Sequence, residues 1–370
     1  MVIIFAKDAC PALCCGRTKH PSSHLRIAAT AALLAAVAAG AHVGHAAVVP
    51  FTRGTPISPV VYPGLKPDSR FGATANDLPR LFGDAALSDM ADRRSPEMIY
   101  VLLDESLSTG THEFVDSVNN GPWGSALVSE LIPYLESQYR IDARPEGRFV
   151  TGHSSGGWAS LWLQVAYPDF FGGVWSTSPD PVDFRSFTGP DIADARAGSN
   201  FYLKPDGSPW MLVRMHGEDV ESLRDYAQQE RVLGEYGGQM SSFEWVFSPR
   251  GDDGRPLPLF DRATGAIDPA VARAWEKYDI SRVLRDHWST LAPKLRGKIH
   301  IYVGTADSFH LDSSIGLLEQ VLKELGSDAT VTYIPGRDHF DLYTGGLSIR
   351  IAKEIYSAAH PQKPVPQTVP

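Results

Sequence analysis

With 370 residues, 43% of them hydrophobic and 21% charged, the chain has the balance of a soluble globular protein long enough to bury one large core. A formal net charge of −9 gives no basic field for nucleic acid or an anionic membrane surface, which excludes polyanion binding as the main role.

The first stretch reads as an address. Arg26 precedes an apolar run at 27–39 that is short for a bilayer span, and Gly44-His45-Ala46 offers small residues before a signal-peptidase cut. Residues 1–46 are therefore expected to be a signal peptide, with a mature start near Ala47 and export to a periplasm or the medium. An uncleaved N-terminal anchor is the alternative. Cys10, Cys14 and Cys15 all lie upstream of the run, so the expected mature chain has no disulfide framework.

Beyond the leader, Pro59-Val60-Val61-Tyr62 before Pro63-Gly64 predicts a short strand and turn. The unbroken apolar run at 97–103 predicts a central strand buried on both faces of a parallel sheet. Asn119-Asn120-Gly121-Pro122 signals a helix start, and Leu127, Leu131, Leu135 and Tyr139 recur every four residues behind it, with Pro133 a point for a kink. A strand at 148–151, a glycine-rich turn and a helix through Trp158, Leu161, Trp162 and Val165 follow, ending before Pro168.

From 176 to 298 the alternation is lost, which reads as an insertion or cap of about 178–297 over the sheet edge. It resumes with a strand at 300–303, a helix at 315–325, a strand at 329–334 and a helix near 347–358. The proline-rich end, 359–370, reads as a disordered tail. The fold class implied is α/β, with a mostly parallel central sheet flanked by helices and one domain over 47–358. No internal repeat is evident.

The sharpest chemical signal is Gly152-His153-Ser154-Ser155-Gly156, a G-x-S-x-G between a predicted strand and a predicted helix. A nucleophile on so tight a turn needs glycines at its flanks, and Ser154 then projects above the sheet. The Ser155 N–H, at the helix start, can receive an oxyanion. A serine hydroxyl needs a base, and in this arrangement an acid and then a histidine follow it in the chain. Asp307 comes directly after one strand and His339 after the next, which makes Asp307 the orienting acid and His339 the base. Asp312 could replace Asp307, and His310 lies close by. His310, Asp312, His339 and Asp341 could also ligate a metal, but the His pair on a helix expected of catalytic zinc is absent. The second oxyanion donor is expected from 63–65 or 71–73, with Phe71 or Gly72 favoured. Trp158, Trp162 and Trp175 flank the turn, as core packing or as an acyl pocket.

These residues, with Asn120-Gly121-Pro122-Trp123, Glu130-Leu131-Ile132-Pro133 and Tyr167-Pro168-Asp169-Phe170-Phe171, resemble the Putative esterase branch of the α/β-hydrolases, which includes enterochelin esterase-like and esterase D-like enzymes. The resemblance covers about 59–358. It implies a serine carboxyl-ester hydrolase acting through an acyl-enzyme without cofactor, on a small ester such as an acylated sugar, a phenolic ester or a siderophore. Acyl transfer on the same triad, or a non-catalytic binder that kept the fold, are the alternatives. The longer insertion is expected to bring 179–184 and Trp210 toward the pocket.

Overall fold

The computed structural model describes residues 1–6, 89–90, 92–233 and 238–365. Its main sheet has six strands among the described residues: β1 Val2–Phe5, β2 Ile99–Leu102, β3 Arg148–His153, β4 Gly173–Thr177, β7 Ile299–Gly304 and β8 Thr330–Ile334, in the order β8-β7-β4-β3-β1-β2. Strands β3, β4, β7 and β8 pair in parallel, whereas β1 runs antiparallel to both of its neighbours. The sheet is thus mostly parallel and flanked by helices, the architecture expected.

Strand β1 departs from the leader reading. Val2–Phe5 is an apolar run with Ile3, Ile4 and Phe5 buried, and its backbone ladders onto β2 on one side and β3 on the other. In this structure residues 2–5 thus pair inside the sheet. The predicted cut at 46, the apolar run at 27–39 and the strand at 59–62 lie outside the described residues. With β1 in the interior, β2 becomes the edge among the described strands, and its residues, Val101 apart, are only half-buried. The reading of 97–103 as a central strand is corrected accordingly.

The helix predicted behind Pro122 forms in pieces: α1 Trp123–Ala126, a π turn Leu127–Leu131, and α2 Ile132–Gln138. Pro133 has no N–H to close an ordinary turn, and the wide turn just before it adds a residue to the spacing. The inward face consequently shifts to Leu127, Ile132 and Leu135, while Tyr139 is exposed.

Strand β4 carries no apolar alternation, because it hides hydroxyls. Ser176 Oγ donates to the Gly157 carbonyl at 2.8 Å and Thr177 Oγ1 to the Gly152 carbonyl at 2.7 Å, so both polar side chains are buried and satisfied. After α3, Ser155–Ala166, the segment read as irregular contains a hairpin, β5 Met211–Met215 and β6 Glu218–Ser222, then α4 Leu223–Glu230, α5 Gln239–Phe247, α6 Pro269–Trp275 and α7 Ile280–Leu295. Helix α7 packs on α3 and on α8, Leu311–Glu324, and so completes a regular crossover from β4 to β7. The last helix, α9 Leu347–Ala359, leads into a turn with His360 stacked edge-on against Tyr356; 366–370 of the expected tail lie outside the described residues. No helix among the described residues is long and apolar enough to cross a membrane.

Candidate active site

Ser154 sits between the end of β3 and the start of α3 with φ 57° and ψ −125°, a conformation that costs a non-glycine residue about 1–3 kcal/mol and persists only when its surroundings enforce it. They do so through the backbone. The Ser154 N–H donates to the Thr177 carbonyl at 3.1 Å, and the Ser154 carbonyl accepts from Trp158 and Asp180 at 3.0 and 3.2 Å. Of the two flanking glycines Gly152 is required sterically, since a Cβ there would lie 2.1 Å from the Gly156 carbonyl oxygen, whereas one on Gly156 would come no closer than 3.2 Å; Gly157 just beyond is tight, at 2.7 Å from the Thr177 carbonyl oxygen.

At the same sheet edge, the loops after β7 and β8 bring Asp307 and His339 together, with His339 Nδ1 3.0 Å from Asp307 Oδ2 and both side chains buried. Asp307 Oδ1 accepts the N–H groups of Phe309 and Leu311 at 3.0 and 3.3 Å. Burial alone would raise this carboxyl; the hydrogen bond and charge of His339, with the Phe309 N–H, hold it below the ordinary aspartate value instead. The competing assignments are spent elsewhere. Asp312 pairs with Arg214 at 3.0 Å, and His310 Nε2 lies 3.0 Å from Asp219.

Two supporting residues carried no sequence signal for this role. Arg214, on β5 of the insertion, donates twice to the Asp307 carbonyl at 3.1 and 2.8 Å as well as to Asp312, so the hairpin clamps the acid loop. His153, inside the turn, donates from Nε2 to the His339 carbonyl at 2.9 Å, with ring centroids 4.4 Å apart. Burial, and then the neighbouring His339, push its pKa down to about 3, so it is a neutral prop. Nothing but its place within the motif pointed to it.

The Ser154 hydroxyl donates to Asp180 Oδ1 at 3.3 Å, and no hydrogen bond joins it to His339 among the described residues. Asp180 Oδ2 accepts from Ser155 Oγ at 2.7 Å and from Gln239 Nε2 at 3.0 Å, which ties α5 to the Ser154 turn. The expectation that 179–184 approach the pocket thus holds at Asp180. Burial pushes its carboxyl up to about 6. Glu105 and Glu113 stand beside it, raised by burial and then, for Glu113, by the charges of Glu105 and Asp180. Ser155 opens α3 as expected; Phe71 and Gly72 lie outside the described residues.

Trp158 and Trp162 stack on each other at 5.5 Å with Trp158 fully buried, and Trp175 packs on the other face against Phe149, its Nε1 donating to Glu354 at 2.9 Å. Trp158 and Trp175 are therefore core. Besides His153, the rings of Phe309 and Phe340 lie against His339, at 4.9 and 5.5 Å, Phe340 largely exposed. Among the described residues no three histidine, cysteine or carboxylate side chains gather as metal ligands.

The arrangement suits attack by a hydroxyl on a carbonyl carbon, and the family match agrees in kind. In sequence, residues 116–339 match the family described as Putative esterase. No curated protein matches the chain. Similar solved structures include a ferulic acid esterase (14% identity, 74% of this chain and 76% of that one, TM-score 0.42). A substrate-bound fluorophosphonate-binding serine hydrolase F of Staphylococcus aureus is another (11% identity, 70% of each chain, TM-score 0.36). A third is an S-formylglutathione hydrolase from Agrobacterium tumefaciens (18% identity, 67% of this chain and 63% of that one, TM-score 0.34). Since the family match spans more than half of the chain, from Asp116 through the serine turn to His339, this protein belongs to the Putative esterase family of carboxylic ester hydrolases.

Proposed function

We propose that the protein hydrolyses small carboxylic esters through a covalent acyl-enzyme, with Ser154 as nucleophile, His339 as base and Asp307 as the orienting acid. The observation that carries this reading is the buried pair of His339 and Asp307, 3.0 Å apart, at the sheet edge where Ser154 is held in a strained turn. The Ser154 hydroxyl turns about Cα–Cβ away from Asp180 and hands its proton to His339 Nε2 as Oγ bonds to the ester carbon. The carbonyl electron pair moves onto oxygen, which faces the Ser155 N–H at the positive end of α3. Collapse expels the alkoxide, which takes the proton from His339; water then attacks the acyl carbon, giving its proton to His339, and Ser154 leaves reprotonated. Asp307 fixes the imidazole tautomer and stabilises its cation throughout. These steps call for no cofactor. The second oxyanion donor is assigned to Phe71 or Gly72 on sequence grounds.

Export is part of the proposal and rests on Arg26, the run at 27–39 and the small residues Gly44-His45-Ala46. Processing near Ala47 would remove β1 and oblige another segment to fill the gap between β2 and β3. N-terminal sequencing of protein from the producing cell tests it: a start at Ala47 supports export, and a retained Val2–Phe5 contradicts the cut. For the chemistry, the test is hydrolysis of short p-nitrophenyl esters. Ser154→Ala is expected to lose activity by several orders of magnitude, and a variant as fast as the wild type would end the proposal.

A further inference from the structure

The return of the proton fixes where the alcohol part of an ester must lie. His339 Nε2 gives its proton to the departing alkoxide, so the alcohol leaves beside the imidazole while the acyl group stays on Ser154. Side chains that flank the His339 ring therefore border the leaving group. Among the described residues three rings lie against it. His153, at 4.4 Å, is committed to the His339 carbonyl, to which its Nε2 donates. Phe309 and Phe340 stand edge-on to the imidazole, at 4.9 and 5.5 Å with interplanar angles of 82° and 83°, and edge-on to each other at 5.9 Å.

The two phenylalanines differ in burial. Phe309 is half-buried and packs on the core, whereas Phe340 is 60% exposed, the most exposed aromatic side chain among the described residues. A loose loop does not explain that exposure. Asp338 Oδ1 accepts the N–H groups of Phe340 and Asp341 at 2.8 and 2.9 Å, Asp341 Oδ1 accepts that of Asp338 at 2.8 Å, and Arg337 donates to the other Asp341 oxygen at 2.9 Å. With the His339 carbonyl tied to His153, the backbone on both sides of Phe340 is fixed. The ring is thus held at the histidine with more than half of the residue in water, where contact with an apolar or aromatic group is favourable.

We propose that Phe340, backed by Phe309, forms the subsite for the alcohol part of the ester, so that the preferred substrates carry an aromatic or bulky apolar alcohol. The inference rests on the serine-esterase reading and deepens it. Phe340 takes no part in proton transfer and acts as a specificity residue. Its contribution falls on formation of the acyl-enzyme, because the alcohol has left before water attacks.

The test uses three esters on the full-length protein: ethyl acetate, benzyl acetate and ethyl phenylacetate, the last two adding a phenyl ring on the alcohol side or the acyl side. Each kcat/KM is set against the alkaline hydrolysis of the same ester. The wild type is expected to favour benzyl acetate over ethyl acetate by about tenfold or more, and Phe340→Ala to bring that ratio toward one while leaving the ratio of ethyl phenylacetate to ethyl acetate unchanged. A wild-type ratio near one, or a preference that survives Phe340→Ala, in a reaction that requires Ser154, would leave the esterase reading standing and end this inference. A loss confined to ethyl phenylacetate would place the rings on the acyl side and end it as well. Hydrolysis of none of the three, or hydrolysis that Ser154→Ala retains, would remove both. Because the first ratio is read on the wild type and a general loss of activity cancels in the second, a variant that folds poorly does not spare the proposal.

Discussion

At the residue scale, the turn at Ser154 is set by close backbone contacts at Gly152 and Gly157 that leave no room for a side chain. Gly152→Ala places a methyl 2.1 Å from a backbone oxygen, so this substitution is expected to abolish soluble active protein, whereas Gly156→Ala comes no closer than 3.2 Å to the Glu105 carboxylate and the Met1 backbone nitrogen and is expected to be milder. Circular dichroism and activity of both variants check the order; a folded, active Gly152→Ala would contradict the steric account. Arg214→Ala is expected to lower kcat by about ten- to a hundredfold with little change in KM, because it loosens the acid loop without touching substrate; a rise in KM alone would argue against that role. The roles of Ser154, Asp307 and His339 could be proposed from the sequence because motif, strand ends and chain order point to the same three residues. Arg214, Gln239 and most of Asp180's role could not, since they reach the site from a segment with no periodicity and act through hydrogen bonds across 93, 59 and 26 residues of chain.

At the scale of elements, the π turn makes a prediction opposite to the simple helical spacing. Ile132→Ala should cost about 2–5 kcal/mol as a buried large-to-small change, and Tyr139→Ala less than about 1 kcal/mol, because Ile132 is fully buried and Tyr139 is exposed. Urea denaturation of the two variants decides between this register and the one read from Leu131 and Tyr139. The strands β3, β7 and β8 were legible because they are apolar between turn residues. Strand β4 was not, its serine and threonine being buried on carbonyl oxygens, and β1 was hidden inside what reads as a leader. The helix α7 was hidden for another reason: its amphipathic pattern follows a long polar stretch, and its end carries Pro293.

At the scale of the whole molecule, several buried carboxyls are easier to protonate in the folded chain than in the unfolded one. Burial pushes Asp180 and Asp279 up to about 6 and Glu230 up to about 7. A group with a raised folded value contributes stability that is complete below its unfolded value, about 4, and is lost as pH rises through the folded value. Asp307 and Asp142, held low, act in the opposite sense only as pH falls through their depressed values. Between pH 5 and 8 these raised acids lower the melting temperature as pH rises, while His112 and His153, each pushed down to about 3 by burial, raise it toward the ordinary histidine value; Asp180→Asn removes one share of the first effect, so over this interval it is expected to lose less melting temperature than the wild type, or to gain more. An Asp180→Asn variant whose melting temperature depends on pH as the wild type's does would contradict this assignment of Asp180.

The central claim is that one strained serine is activated by one histidine. The most direct measurement is labelling of the folded protein with a fluorophosphonate, with the modified residue located by peptide mass spectrometry in the wild type and in His339→Ala. The account predicts a single adduct on Ser154 in the wild type and labelling slowed by orders of magnitude in the variant. An adduct elsewhere, or equal labelling without His339, would contradict it.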